Sequence, residues 1–149
     1  MLNVGDAFPD FKLENQDGNV VTKADLLGSK TVVYFYPKDD TPGCTTEACE
    51  FKEIAPQYLG AKVVGVSPDG VKSHRKFADK YELGFTLFAD TEHSLAEACG
   101  VWVEKSMYGK KYMGVERSTF ILDEQGVIQT VFAKVKPKGH ANEVLSALK

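Results

Sequence analysis

The chain has 149 residues, 43% apolar and 26% charged, and its 18 basic side chains against 21 acidic ones give a formal charge of −3. That is one ordinary globular domain, residues 1–149, with room for a core, and it offers no electrostatic reason to expect nucleic acid or an anionic membrane as a partner. There is no basic, apolar leader and no apolar run near the roughly 20 residues of a membrane helix, so a cytoplasmic protein is expected; three cysteines are an odd number and too few for a secreted disulfide scaffold.

In chain order, residues 11–15 and 19–22 flank the turn sequence QDG and predict a β-hairpin. Residues 31–36, TVVYFY, are β-branched and aromatic without polar alternation, which predicts a strand buried on both faces. Residues 62–67, KVVGVS, predict a second strand of the same kind, with a helix over roughly 42–58 between them. A further helix over 71–83 places Val71, Phe77, Ala78 and Tyr81 on its apolar face. A short strand at 85–90 and a short helix stopped by Gly100 follow. The glycine- and lysine-rich MYGKKYMG is expected to be a surface loop. Residues 118–123 and 127–133 flank EQG as a second hairpin, and a helix closes the chain.

Strand–helix alternation makes parallel strands, and the late hairpin adds antiparallel ones. The expected architecture is a thioredoxin-like α/β fold, with a mixed central sheet flanked by helices and an added N-terminal β-hairpin. Ligands in such sheets sit at the carboxyl ends of the parallel strands. The strand at 31–36 ends where YPKDDTPGC begins.

That stretch carries the chemistry. Thr41 is a good N-cap and Pro42 suits the first helical position. Cys44 then falls at the third helical position, where unpaired backbone N–H groups and the helix dipole favour an anion. Thiols at helix N-termini are commonly activated as thiolates, so Cys44 is the candidate nucleophile. Cys49 lies about 140° further round, and five residues of helix separate the two Cα atoms by about 8.6 Å. A disulfide needs less than about 7 Å, so the pair can bridge only if the first turns unwind. Three other readings stand beside this one. The cysteines could be small hydrophobes on a helix. They could belong to a metal-binding redox module, although neither they nor His74, His93 and His140 show ligand spacing. The chain could be a thiol–disulfide exchanger, although C-x-x-C is absent.

The same residues resemble a known family. YPKDDTPGCTTEAC carries the P-x-x-x-T-x-x-C pattern of peroxiredoxins as Pro37, Thr41 and Cys44. A second cysteine five residues on, together with SHRKFADKYEL and EKSMYGKKYMGVERSTFILD, resembles the bacterioferritin-comigratory, or Q-type, branch. The resemblance covers nearly the whole chain. It implies a thiol peroxidase of the peroxiredoxin variant of the thioredoxin fold, with no metal and no organic cofactor. Cys44 would attack hydrogen peroxide or an organic hydroperoxide and become a sulfenic acid. Cys49 would resolve it as an intramolecular disulfide, and thioredoxin or a similar dithiol would recycle the enzyme. Arg117 would hold the thiolate and the peroxide oxygen, Thr41 would hydrogen-bond the peroxide, Pro37 would shield the thiolate from water, and Glu47 would orient Arg117. The branch also implies a monomer.

Cys99 lies with Leu95 and Ala96 on one helical face and is expected to be a buried small hydrophobe; the sharper alternative is a second resolving thiol. Trp102 is expected in the core. Met107, Tyr108 and Tyr112 are candidates for an active-site mouth or a partner surface. Lys134, Lys136 and Lys138 alternate as a solvated strand end would.

Overall fold

The computed structural model describes residues 1–149. Every residue of β3 (Thr31–Phe35) is buried, as is β4 (Lys62–Ser67) after its first residue. These two apolar strands pair in parallel, and β4 pairs in parallel with β5 (Thr86–Ala89). The first hairpin, β1 (Lys12–Asn15) and β2 (Val20–Thr22), joins the outer edge of β5 through an antiparallel pairing. On the other side β3 pairs antiparallel with β8 (Ser118–Leu122), and β8 with β9 (Ile128–Phe132). The result is one seven-stranded mixed sheet in the order β2-β1-β5-β4-β3-β8-β9. The N-terminal hairpin is therefore an extension of the central sheet.

Side chains of β3 alternate between two cores, as the period of a strand requires. Val32 and Tyr34 join Tyr36, Cys44, Phe51, Phe77 and Val144 on one face. Helices α1 (Pro42–Ile54), α2 (Val71–Tyr81) and α4 (His140–Leu148) cover it. Val33 and Phe35 join Phe8, Leu26, Leu95 and Cys99 on the other face, under α3 (Ser94–Cys99). Cys99 is fully buried there, with Leu95 and Ala96 as expected, and across the sheet from Cys44.

Three expectations are corrected. Helix α1 ends at Ile54, and residues Ala55–Gln57 tighten into a 3-10 turn. Pro56 is the cause, because it has no N–H to continue the α-helical ladder. The segment expected as a loop is a hairpin of its own, β6 (Trp102–Met107) paired with β7 (Lys110–Val115) in a separate two-stranded sheet. Its turn residues Tyr108 and Gly109 both have positive φ, at 51° and 77°, the geometry that closes a two-residue hairpin. Lysine and glycine disguised the strands because the ribbon stands in solvent: Met107, Tyr108, Tyr112 and Met113 are exposed. Only its base is covered, by burial of Val115 and by Trp102, which is half-buried and stacks on His93 at 4.0 Å. Finally, β9 ends at Phe132, so Lys134, Lys136 and Lys138 ride a connecting strap rather than a strand. The chain turns at Lys134, φ 49°, and Val135 N donates to Arg117 O at 2.9 Å.

Gly65 of β4 allows Tyr34 to lie flat beneath α1. A Cβ there would stand 2.9 Å from Leu87 Cδ2 and 3.0 Å from the Tyr34 ring, and Tyr34 in turn stacks on Phe51 at 4.6 Å. Gly65→Val is expected to destabilise the fold by about 1–3 kcal/mol through overpacking. Urea unfolding reads this directly, and an unchanged midpoint would refute the packing argument.

Candidate active site

The loop after β3 is held from below by a buried carboxylate. Asp39 accepts hydrogen bonds from Tyr36 OH at 2.6 Å and from Ser73 Oγ at 2.7 Å, and its Oδ2 lies 2.7 Å from His74 Nδ1. The other nitrogen of His74 donates to Phe88 O at 2.9 Å. Asp39 N donates to Asp69 at 2.8 Å. The next residue, Asp40, has φ 55° and accepts from Lys80 Nζ and Tyr81 OH. Both aspartates thus tie the loop to α2, and the chain emerges at Thr41 in position to start α1.

Thr41 occupies the N-cap by its backbone: φ is −98°, ψ is 156°, and its carbonyl accepts from Thr45 N at 2.8 Å. The expectation that its side chain caps the helix is corrected. The tight turn at Asp40 brings the Lys38 carbonyl within 2.9 Å of Thr41 Oγ1, which donates to it. The N–H groups of Gly43 and Cys44 are consequently left without a partner in the chain. An anion lodged at this helix start would receive both.

Cys44 is 2% exposed and stands at the head of the buried face that continues through Glu47, Ala48 and Phe51. Arg117 immediately precedes β8, whose first residue pairs with Phe35 at the end of β3, and reaches Cys44 from that neighbouring strand. Its Nη2 donates to Cys44 Sγ at 3.3 Å and its Nη1 to Glu47 Oε1 at 2.6 Å. The Glu47 side chain is sealed from solvent, and its Oε2 has no partner. Burial pushes the Glu47 carboxyl up to about 7, against the downward pull of Arg117. The direction follows from geometry: one ion-paired oxygen cannot offset desolvation of a carboxylate whose second oxygen is unsatisfied.

The structure thus brings Cys44, Glu47 and Arg117 into one hydrogen-bonded chain. Thr41 and half-buried Pro37 flank it on the loop, without touching its polar atoms. Cys49 sits apart, half-buried on α1, with all three cysteines free. Burial raises the Cys49 thiol while Lys52 pulls it down. Burial, with Asp90 nearby, pushes the Cys99 thiol up to about 12. No three His, Cys, Asp or Glu side chains converge in a way that could hold a metal ion, and no helix is long and apolar enough to cross a membrane.

Two features escaped the sequence. His74 drew notice only for its lack of metal spacing, yet it braces the active loop through Asp39, 35 residues away. Lys105 of β6 is half-buried, and burial first, then the charge of Arg117, hold its ammonium below the ordinary lysine range.

Residues 4–131 match the model of the AhpC/TSA family. A putative peroxiredoxin bcp of Coxiella burnetii is 48% identical over 149 residues, 99% of each chain. Peroxiredoxin Bcp of Bacillus subtilis is 47% identical, covering 99% of this chain and 96% of that one. Among solved structures, a mutant of Xylella fastidiosa PrxQ superimposes with a TM-score of 0.93 at 39% identity, over 99% and 96% of the two chains. The Xanthomonas campestris bacterioferritin comigratory protein, studied for alkyl peroxide reduction, superimposes at 0.88 with 44% identity over 93% and 89%.

The Glu47 environment makes a pH-dependent prediction. The unfolded chain releases this proton near 4.5, whereas the folded chain holds it to about 7. A raised folded-state value means that the group's stabilising contribution is present below 4.5 and is lost as pH rises to about 7. Thermal unfolding of wild type and Glu47→Gln, run in parallel from pH 4 to 8, should show wild type losing stability relative to the variant across that window. A constant difference between the two curves would overturn the assignment.

Proposed function

Because this chain belongs to the AhpC/TSA family, among its Bcp and PrxQ peroxiredoxins, it is a thiol peroxidase that uses peroxide and a thiol reductant, and we propose how its residues divide the work. Cys44 is the attacking thiolate. Its sulfur displaces on the distal oxygen of the hydroperoxide: the S–O bond forms, the O–O bond breaks, and sulfur supplies the electron pair. The products are a Cys44 sulfenic acid and water or an alcohol. The observation that carries this reading is the 3.3 Å contact from Arg117 Nη2 to a sulfur seated at a helix start with unpaired N–H groups.

Each neighbour has a part. Arg117 presents fixed positive charge to the sulfur and to the oxygen as the O–O bond opens, where preorganised donors are most effective. Glu47 fixes the guanidinium through Nη1. Gly43 and Cys44 N–H groups face the same developing charge. Thr41 Oγ1, whose proton goes to Lys38 O, keeps lone pairs free to accept from the hydroperoxide O–H. Pro37 excludes water from the thiolate.

Cys49 is the resolving thiol. It attacks the sulfenic sulfur, forms the disulfide and releases water. Both cysteines lie within α1, and helical spacing holds them apart by about 8.6 Å between Cα atoms. Resolution therefore requires the first turns of α1 to unwind. A thioredoxin-type dithiol then reduces the disulfide, in a monomeric cytoplasmic enzyme acting on hydrogen peroxide and organic hydroperoxides. Cys99, sealed in the opposite core, takes no part.

Peroxide consumption with thioredoxin, thioredoxin reductase and NADPH tests the assignment. Cys44→Ser should abolish even a single turnover. Cys49→Ser should complete one turnover and fail to recycle, and Cys99→Ser should leave both intact. Loss of recycling in Cys99→Ser instead of Cys49→Ser would reassign the resolving thiol. Amide exchange offers a second check: oxidation should remove protection across residues 42–50, and unchanged protection would exclude the unwinding step.

A further inference from the structure

We propose that Pro137 is a positioning residue for the resolving step: by bearing on the first turn of α1 it keeps that turn wound, and so sets how long the Cys44 sulfenic acid waits for Cys49. The inference rests on the two-thiol reading above.

The strap between β9 and α4, residues 133–139, alternates in exposure. Lys134, Lys136 and Lys138 are exposed, while Val135, Pro137 and Gly139 are half-buried. Both ends of the strap are tied down. At one, Val135 N donates to Arg117 O at 2.9 Å. At the other, Gly139 N donates to Glu50 Oε1 at 2.9 Å. The residue after it, His140, is fully buried, with its Nε2 2.7 Å from Thr119 Oγ1 of β8. Pro137 lies between these anchors, its φ fixed by its own ring. It packs on Gly43, the residue before Cys44: a Cβ on Gly43 would stand 3.3 Å from Pro137 Cγ and 3.4 Å from Arg117 Nη2. Glycine at this point of α1 therefore lets the strap and the guanidinium both close on the turn that carries the sulfur.

The same contact opposes the motion that resolution needs. Cys44 and Cys49 come within bonding range only when the first turns of α1 unwind. Unwinding changes the backbone course at Gly43, and the Pro137 ring loses its partner there. The strap cannot follow the moving turn, because Arg117 O and Glu50 hold it at either end. The wound form is thus favoured by packing that the unwound form lacks. Two reactions compete for the sulfenic acid while it waits. In one, the Cys49 sulfur attacks the Cys44 sulfur: the S–S bond forms, the S–O bond breaks, and the hydroxyl leaves as water with the thiol's proton. In the other, a second hydroperoxide transfers an oxygen to the Cys44 sulfur, giving a sulfinic acid and water or an alcohol. The Pro137 contact lengthens the wait and so tilts the outcome toward the second.

Quenched-flow mixing with hydrogen peroxide, read by mass spectrometry, counts the reduced, sulfenic, disulfide and sulfinic forms of the chain separately. Pro137→Ala should form the disulfide about fourfold faster than wild type, the effect of roughly one methylene of lost contact, and yield correspondingly less sulfinic acid at high peroxide. Oxidation of Cys44 to the sulfenic acid should stay within about twofold of wild type, as for a substitution outside the reacting groups; a general loosening of the site would slow it. Pro137→Val keeps γ-carbons to set over Gly43 and should return disulfide formation to the wild-type rate. Unchanged or slower disulfide formation in Pro137→Ala, equal changes in both steps, or a valine variant as fast as the alanine one would overturn the assignment. A wild type that stops at the sulfenic acid removes the two-thiol reading and the inference with it. A wild type that peroxide leaves reduced removes the peroxidase reading itself.

Discussion

The guanidinium of Arg117 is the joint on which this molecule is organised. It grips two residues of one helical turn, Cys44 and Glu47, from the start of β8, the strand beside β3. Neither grip is cheap. A carboxyl is buried with one oxygen unsatisfied, and a thiol is buried at a helix start whose N–H groups point at nothing. Such groups are tolerated where the surrounding fold leaves them no alternative. Here the fold does so by locking both sides of the joint. Phe51 and Ala48 hold α1 against the sheet, and the Val135–Arg117 hydrogen bond holds the backbone that carries the guanidinium.

Much of the scaffold was legible because single-residue rules act locally. Strand β4 runs over the same six residues that its apolar run marks, and the start of α1 follows from Thr41 at the N-cap and Pro42 at the first helical position. The end of α1 was misjudged by one turn, although Pro56 was in plain view, because the buried Tyr58 just beyond the 3-10 turn continues the apolar stripe. The β6–β7 ribbon was missed for a different reason. Its residues face water on both sides, so the alternation that reveals a half-buried strand is absent.

The site was legible only in part. The position of Cys44 on its helix follows from spacing, but Arg117 is 73 residues away, and only resemblance to a family linked the two. The Asp39–His74 brace had no sequence signal of comparable strength. It is a long-range contact made by residues that look ordinary in their own neighbourhoods. Thr41 shows the converse: a strong local signal for capping was overridden because a single left-handed residue, Asp40, turned a carbonyl into reach of the hydroxyl.

The anchoring of α1 is unequal along its length, and this has a mechanical consequence. Beyond its last turn, the Tyr58 hydroxyl donates to Ala141 O at 2.7 Å, and Glu50 accepts from Gly139 N, so the distal half is clamped to α4 and its approach. In the proximal half, the side-chain hydrogen bonds are those Arg117 makes to Cys44 and Glu47. The helix is a cantilever, clamped by hydrogen bonds at its distal end. A segment that melts from such a support keeps a standing template on which to rewind, so each return to the ordered form skips the slow nucleation that a detached helix of this length would face.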